Sequence, residues 1–559
     1  MKKILLLLTM LQSLVSSSQV TFTEVQRCKQ IGLVWGLMKY HHPEVSKGKY
    51  NWDSEFVSLF SKANEISNQE EMNVLLSNFI HASGDKFKLE KGKTTIDKEH
   101  LFIKNYDYSW INASVFGENL TNQLLKIKDN TNINDYYASA SKLTKMLTFD
   151  NEKGYKDYDL SLKSHRMLML YNFWNVIQYW DVNKYLMDED WLKCLDSLTE
   201  EFLKANTKTK FEMAKAKMLS KLNDTHSFYF PQTVSDSLTK YRSYFSSKIV
   251  NDTVVVLGVQ KSLAKKDGLE LGDRIVKIEH QSIPDCLHEK LGDLISVSNP
   301  TVLRRYGYLL FNSNKDSINV DVVSNDGILK NKYLHLYEKI EWTNFETLPF
   351  QKRDKWTLIK PDISYINLSE ITRKELKEAF GKISDTKGLI IDLRNYPQNI
   401  SNADIADYLY PGRKEFVKVL FPVGRCPSVG EYNGDSPLDF ISDPFKIGKK
   451  YSNYYKGKVV LLVNRMTQSR AEWIGMSIQQ SPNCVTVGEQ TAGAAMNTVS
   501  YTLSDKTKVL FTHLGAFYPN GEGVQRKGLH IDYVVKENAK NYDPDLYVKE
   551  AVRIIEKIE

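Results

Sequence analysis

Between residues 23 and 88 apolar side chains recur every three to four positions: Leu33, Val34, Leu37 and Met38, then Phe56, Leu59 and Phe60. That spacing places them on one face of a 3.6-residue helix and predicts a small helical bundle. A stretch from about 160 to 222 has the same texture. Shifted by 139 positions, Trp35 falls on Trp174, Tyr40 on Tyr179, Trp52 on Trp191 and Asp85 on Asp224, while Phe79 falls over Met218 and Ile80 over Leu219. Two Trp, a Tyr and an Asp matched at one offset without a gap predict two copies of one helical unit, Trp-rich where its helices meet. The match breaks at one place: the second copy reads Asp224-Thr225-His226, and the first holds Phe87 at the position of His226. If the copies share a fold, packing there does not call for histidine, which singles out His226 for a functional role.

Residues 105–158, rich in Asn, Asp, Tyr and Lys, read as an irregular linker with short strands. From 236 to 337 the period changes to strand runs such as Thr253-Val254-Val255-Val256-Leu257 and Ile318 to Val323. Between them, Gly268-Leu269, the turn Gly272-Asp273 and the alternating strand to Ile278 resemble the middle of a PDZ domain. Such domains bind peptide C-termini by adding them as a strand to a sheet edge. Beyond 338, near-continuous apolar runs alternate with helical stretches: Ile363–Ile366, Gly388–Arg394, Lys458–Val463 and Cys484–Gly488. This pattern predicts buried, mostly parallel α/β strands. The chain thus divides into a leader (1–18), a helical copy (19–104), a linker (105–158), a second helical copy (159–235), a PDZ-like domain (236–337) and an α/β core (338–559).

Composition changes little in this multidomain α+β picture. A chain of 559 residues exceeds one core. A net charge of +7, without a basic run interleaved with aromatics, argues against nucleic acid as a partner. Lys2 and Lys3, an apolar run from Ile4 to Val15 and the small residues Ser16 to Ser18 form a secretory signal peptide. The run is too short for a stable membrane span, which needs about 20 residues. The expected location is periplasmic or extracellular. Cys28, Cys194, Cys286, Cys426 and Cys484 are scattered and predict buried free thiols rather than a metal cluster. His41-His42-Pro43-Glu44 gives no metal-ligand spacing, and no cofactor or metal is expected.

Ser469 follows the strand Val459–Val463 by a few residues and precedes a helical stretch, Ala471–Gln480. A serine there sits at the C-terminal edge of the sheet, beside the N–H groups of a helix start. That setting suits a nucleophile whose oxyanion must be caught by nearby amides. It also suits an ordinary N-cap.

The ordered set Gly268-Leu269…Gly272-Asp273, Ile391-Asp392-Leu393-Arg394-Asn395, Ser469-x-Ala471-Glu472, Gly488-x-x-Thr491-x-Gly493 and Gly528-x-x-x-Asp532 resembles the carboxyl-terminal processing (tail-specific) serine peptidase family. The Asp224-Thr225-His226 unit is similar to that family's tricorn-like Ser-His branch. The resemblance implies an α/β peptidase core of the ClpP/crotonase type, protein or peptide substrates, and Ser469 as nucleophile. One branch of the family uses a lysine base just after the Gly of Thr-x-Gly; that place is Ala494 here, which leaves His226 as the base the resemblance implies. The family's Glu falls at Gln525, with Glu522 three residues earlier, so either is a candidate to orient His226. The oxyanion donors implied are the amides of Arg470 and of Gln398, the latter standing where the family often has Gly. A binding protein on the same scaffold, holding peptides or lipophilic ligands without turnover, is the alternative that Gln398 and Gln525 leave open.

Overall fold

The computed structural model describes residues 22–84, 102–105, 107–130, 135–141, 146–422, 429–431, 445–448 and 454–557. The leader, Asp85, Phe87 and Cys426 lie outside these residues. The helical part contains α1 (Glu24–His41), α2 (Trp52–Ala63), α3 (Gln69–Ala82), α4 (Ala113–Lys128), α5 (Lys163–Trp180), α6 (Cys194–Lys204) and α7 (Lys208–Ser220). Trp35 and Trp52 stack at 11°, each indole N–H donating to the other's backbone carbonyl at 2.8 and 3.1 Å. Trp174 and Trp191 stack at 6° with the same reciprocal bonds at 3.0 and 3.1 Å. These bonds satisfy two buried indoles and fix each first helix to the segment that follows it. Helices α1 and α5 approach closely because α1 carries glycine where they meet. A Cβ on Gly32 would lie 2.0 Å from Tyr171, and one on Gly36 2.0 Å from Asn175.

Helix α4 departs from the linker expected over 105–158. Asn112 caps it by accepting from the Ser114 N–H, and Phe116, Leu120, Leu124 and Ile127 form a buried stripe. The polar residues between them dilute the composition, and Gly117, at φ 66° and ψ 164°, kinks the element after its first turn.

A second body is an antiparallel sheet ordered β1 (Phe245–Val250), β2 (Thr253–Gln260), β3 (Arg274–Ile278), β4 (Ser317–Val323) and β5 (Leu329–His335). β6 (Phe345–Thr347) pairs with the end of β2. The helix α8 (Lys261–Asp267) stops at Gly268, whose left-handed φ of 61° closes the cap. The 3₁₀ segment Arg304–Phe311 packs on the edge strand β1, with Phe311 and Phe245 meeting edge-to-face at 4.8 Å.

The third body is a six-stranded sheet ordered β7 (Trp356–Lys360), β8 (Ile363–Asn367), β9 (Gly388–Asp392), β10 (Lys458–Val463), β11 (Cys484–Gly488) and β14 (Tyr533–Val534). β7 runs antiparallel to β8, and every other neighbouring pair is parallel. Leu389, Ile391, Val459, Leu461 and Val463 pack on one face with α9 (Arg373–Ile383) and α10 (Arg470–Ile478). Ile390, Val460, Leu462 and Val487 pack on the other against α11 (Leu546–Glu556). Helices on both faces explain why these strands read as continuous apolar runs. The hairpin of β12 (Thr498–Thr502) and β13 (Lys508–Thr512) reaches out to the helical body, where Val499, Tyr501, Val509 and Phe511 join its core.

Candidate active site

Ser469 is the residue before α10 and has φ 57° and ψ −119°. A non-glycine residue there is strained by about 1–3 kcal/mol and persists only where its surroundings hold it. Three bonds do so. The Ser469 N–H donates to Ala494 O at 2.9 Å and to Glu472 Oε2 at 3.2 Å, and Ser469 O accepts from the Trp473 N–H at 3.0 Å. The tight strand-to-helix turn thrusts the serine side chain out at the sheet's C-terminal edge. Its neighbour Arg470 opens the helix, and the first amides of a helix have no acceptor within it.

Glu472 is fully buried one turn into α10. Its carboxylate also accepts from Thr491 Oγ1 (2.6 Å), the Gly493 N–H (2.7 Å) and the Ala494 N–H (2.9 Å). Burial pushes its carboxyl upward, against the pull of these hydrogen bonds. Glu472 therefore ties the serine turn to the 491–494 loop. Gly493 is required there: its φ is 66°, and the Arg526 backbone passes 2.6 Å from where a Cβ would stand. The position that could hold a lysine base is Ala494, fully buried.

His226 lies in a 3₁₀ turn, Thr225–Ser227, just past α7. The Asp224 carboxylate caps this turn by accepting the His226 N–H at 3.0 Å and takes the Thr512 N–H at 2.7 Å. Nδ1 of His226 is 2.9 Å from Thr512 Oγ1 and 3.5 Å from Asp224 Oδ1, while buried Nε2 has no hydrogen-bond partner. Burial alone would push the Asp224 carboxyl up. Hydrogen bonds from His226 and Thr512, with the imidazole's charge, outweigh it and hold the group below the usual carboxylate range.

A continuous path of hydrogen bonds joins the two turns. Thr225 N–H donates to Ser298 Oγ and Ser298 N–H to Thr225 Oγ1, both at 2.9 Å. The next residue, Asn299, donates from Nδ2 to Thr491 O and Ala492 O at 2.9 and 3.0 Å. That loop is held by Glu472 and hence by the Ser469 turn.

Among the other residues nominated from sequence, Gln525 is buried beside Arg526, and its Oε1 atom has no hydrogen-bond partner. Glu522 sits in a surface turn, its side chain half exposed and 3.9 Å from Lys527. Gln398 and Arg470 are exposed, and the Arg470 guanidinium donates to Gln398 O at 3.2 Å, tying together the two segments that carry the nominated oxyanion amides. The partners seen at His226 are Thr512 and Asp224. Sequence reasoning passed over both as orienting groups, although Asp two residues before His is a turn-capping signal. Thr512 had none: it is 286 positions away. Cys28, Cys194 and Cys286 are free and buried; Cys484 is free but only half-buried.

The profile of Peptidase family S41 matches residues 362–535. This chain carries a peptidase S41 domain. Ser469, Glu472, Gln398 and Gln525 lie within the S41 domain, and His226 comes to it from the helical body. The chain is 23% identical over 329 residues to the carboxy-terminal processing protease CtpA of Bacillus subtilis (strain 168), a match that spans 56% of this chain and 61% of that relative. Among solved structures, mature CPAF superposes with a TM-score of 0.53 at 11% identity, over 69% of this chain and 95% of that one. Mature CPAF complexed with lactacystin does so with 0.50 at 12%, over 70% and 96%. These likenesses extend the shared fold well beyond the S41 domain.

Proposed function

We propose that this protein is an exported serine endopeptidase in which Ser469 is the nucleophile and His226 its general base. The observation that carries the reading is the strained Ser469 turn at a helix start, locked by buried Glu472. In the reaction, His226 Nε2 takes the Ser469 hydroxyl proton as Oγ bonds to the substrate's carbonyl carbon and the carbonyl π pair moves to oxygen. The amides of Arg470 and Gln398 are suited to that oxyanion. Collapse breaks the C–N bond, Nε2 returns its proton to the leaving amine, and water repeats the sequence to free the acyl group.

The sheet of 236–337 is read as PDZ-like on its Gly268-Leu269 cap and Gly272-Asp273 turn, and the two helical units as copies of one ancestor on their Trp pairs. Export rests on the leader at 1–18. The peptidase reading is tested by a fluorophosphonate probe, expected to label the folded protein at Ser469 and to leave Ser469→Ala unlabelled. Labelling of Ser469→Ala at the parental level would refute the nucleophile. Peptide binding by a wild type that never takes the label would establish the binding-protein alternative, which the substitutions at Gln398 and Gln525 favour.

A further inference from the structure

We infer that Asp224 and Thr512 together are the positioning pair of His226, so that the carboxylate of the catalytic group stands two residues before the histidine rather than at 522 or 525. The inference rests on the reading of His226 as base. An imidazole that is to accept a proton at Nε2 must hold its own proton at Nδ1, and a neighbouring group must fix that tautomer. The groups at Nδ1 are Thr512 Oγ1 at 2.9 Å and Asp224 Oδ1 at 3.5 Å. Nδ1–H can donate to the threonine oxygen, with the carboxylate close enough to stabilise the imidazolium formed when Nε2 takes the serine proton.

The pair is itself immobilised. Asp224 Oδ2 accepts the Thr512 N–H at 2.7 Å, and the Asp224 N–H donates to Ser296 Oγ at 3.1 Å. Both residues are buried, so water does not compete for these bonds. Asp224 comes from the helical body and Thr512 from the last residue of hairpin strand β13, so the base is held only while hairpin and helices are docked. The candidates in the 522–525 segment lack these contacts: Glu522 faces Lys527 in a surface turn, and Gln525 could offer only a neutral oxygen.

The test is steady-state cleavage of a peptide substrate by the full-length protein. Asp224→Asn is expected to lower kcat on the order of 100-fold with KM within about twofold, since the pair acts on proton transfer rather than substrate binding. Thr512→Val is expected to lose about tenfold in kcat, and Thr512→Ser, which restores the hydroxyl, to recover to within about threefold of the parent. A merely structural role would not split Val from Ser in kcat at constant KM. Should Asp224→Asn fail to fold, the two Thr512 variants decide the question. If His226→Ala abolishes turnover while Asp224→Asn and Thr512→Val stay within threefold of the parent, the pair is refuted and the base stands. If His226→Ala cleaves at the parental rate, the base assignment itself is wrong and the pair falls with it.

Discussion

In the first helical unit Lys39 is fully buried, in the second Lys215 is, and the two use their charge differently. Lys39 Nζ lies 2.5 Å from Glu152, 2.9 Å from Asn172 Oδ1 and 3.9 Å from Asp53, among the rings of Trp35 and Tyr137. This cluster closes inward, and the hairpin meets it through the Tyr501 hydroxyl, 2.8 Å from Asn172 Oδ1 and 3.3 Å from Glu152 Oε2. Lys215 Nζ instead crosses to the hairpin turn, 2.6 Å from Asp505 and 3.0 Å from Thr507, with Glu212 also at 3.0 Å. From that turn β13 runs back to Thr512 and His226. Two units that each hold a stacked Trp pair thus differ in what their fully buried cation serves: cohesion of the helices in one, docking of the hairpin in the other.

The sharpest way to break this contrast is to remove each cation. Lys39→Met leaves Glu152 buried without its counter-charge and half-buried Asp53 without its neighbour, a loss of about 3–5 kcal/mol. Urea unfolding followed by tryptophan fluorescence should show it as an earlier transition of the helical body. In the fraction that remains folded, kcat should stay within about twofold, because no contact of Lys39 reaches His226.

Lys215→Met should cost less stability, about 2–3 kcal/mol, because its nearest carboxylates, Asp505 and Glu212, are each 12% exposed, whereas Glu152 beside Lys39 is only 6% exposed. Its signature is kinetic. Freed at its turn, the hairpin should hold Thr512 less firmly, and kcat should fall several-fold at unchanged KM. Equal kcat for the Lys39 and Lys215 variants, each measured on folded protein, would erase the distinction between the units.

Much of this was legible in the chain. The α/β strands announce themselves because helices cover both faces of their sheet, so β10 spans Lys458–Val463 and β11 Cys484–Gly488 as the apolar runs predict. The Trp35–Trp52 and Trp174–Trp191 pairs are legible because a buried indole needs a fixed acceptor, which keeps their spacing the same. Helix α4 was hidden by the Asn and Asp around its narrow apolar stripe. The environment of His226 was half hidden. Its local cap, Asp224, stands beside it in sequence, whereas Thr512 meets it only because a hairpin docks across the molecule, and a contact at that separation leaves no periodicity to read. The strain at Ser469 is likewise a property of how Glu472 and Ala494 hold the turn, not of the serine codon's neighbours alone.

A smaller effect should appear with pH. Asp181, at the end of α5, is buried and accepts the Asn183 N–H at 2.7 Å. Burial pushes its carboxyl up to about 7; the Asn183 amide and Lys184 pull the other way, and the charge of Asp224 adds to the rise. In the unfolded chain the group titrates near its ordinary value of 3.8. Between those values the folded state binds more protons, so this group's contribution is full below about pH 4 and is lost as pH rises through about 7. The slope is at most about 1.4 kcal/mol per pH unit. Asp181→Asn, which keeps an acceptor for Asn183, should flatten the pH dependence of the urea midpoint between pH 5 and 8. An unchanged slope would mean that the carboxylate finds enough solvent to stay charged. The first unit offers a parallel in Asp53, whose carboxyl burial also raises, but there Lys39 answers it directly.

The smallest change tests whether burial, rather than membership of the second unit, gives Lys215 its weight. Lys204 lies in that unit too, on α6, and pairs with Glu200 one turn earlier at 3.3 Å, but its side chain is 76% exposed. In water such an i,i+4 pair contributes about 0.3–0.5 kcal/mol, and alanine's better helix propensity recovers part of that. Lys204→Ala should therefore shift the urea midpoint barely beyond error and leave kcat and KM at parental values, in high salt as in low. If it destabilised as much as Lys215→Met, the attribution of the second unit's role to a buried, hairpin-directed cation would fail, since charge anywhere on that unit would then suffice. A null result places the difference between the units where the contacts place it, in which direction a desolvated ammonium is obliged to find its carboxylates.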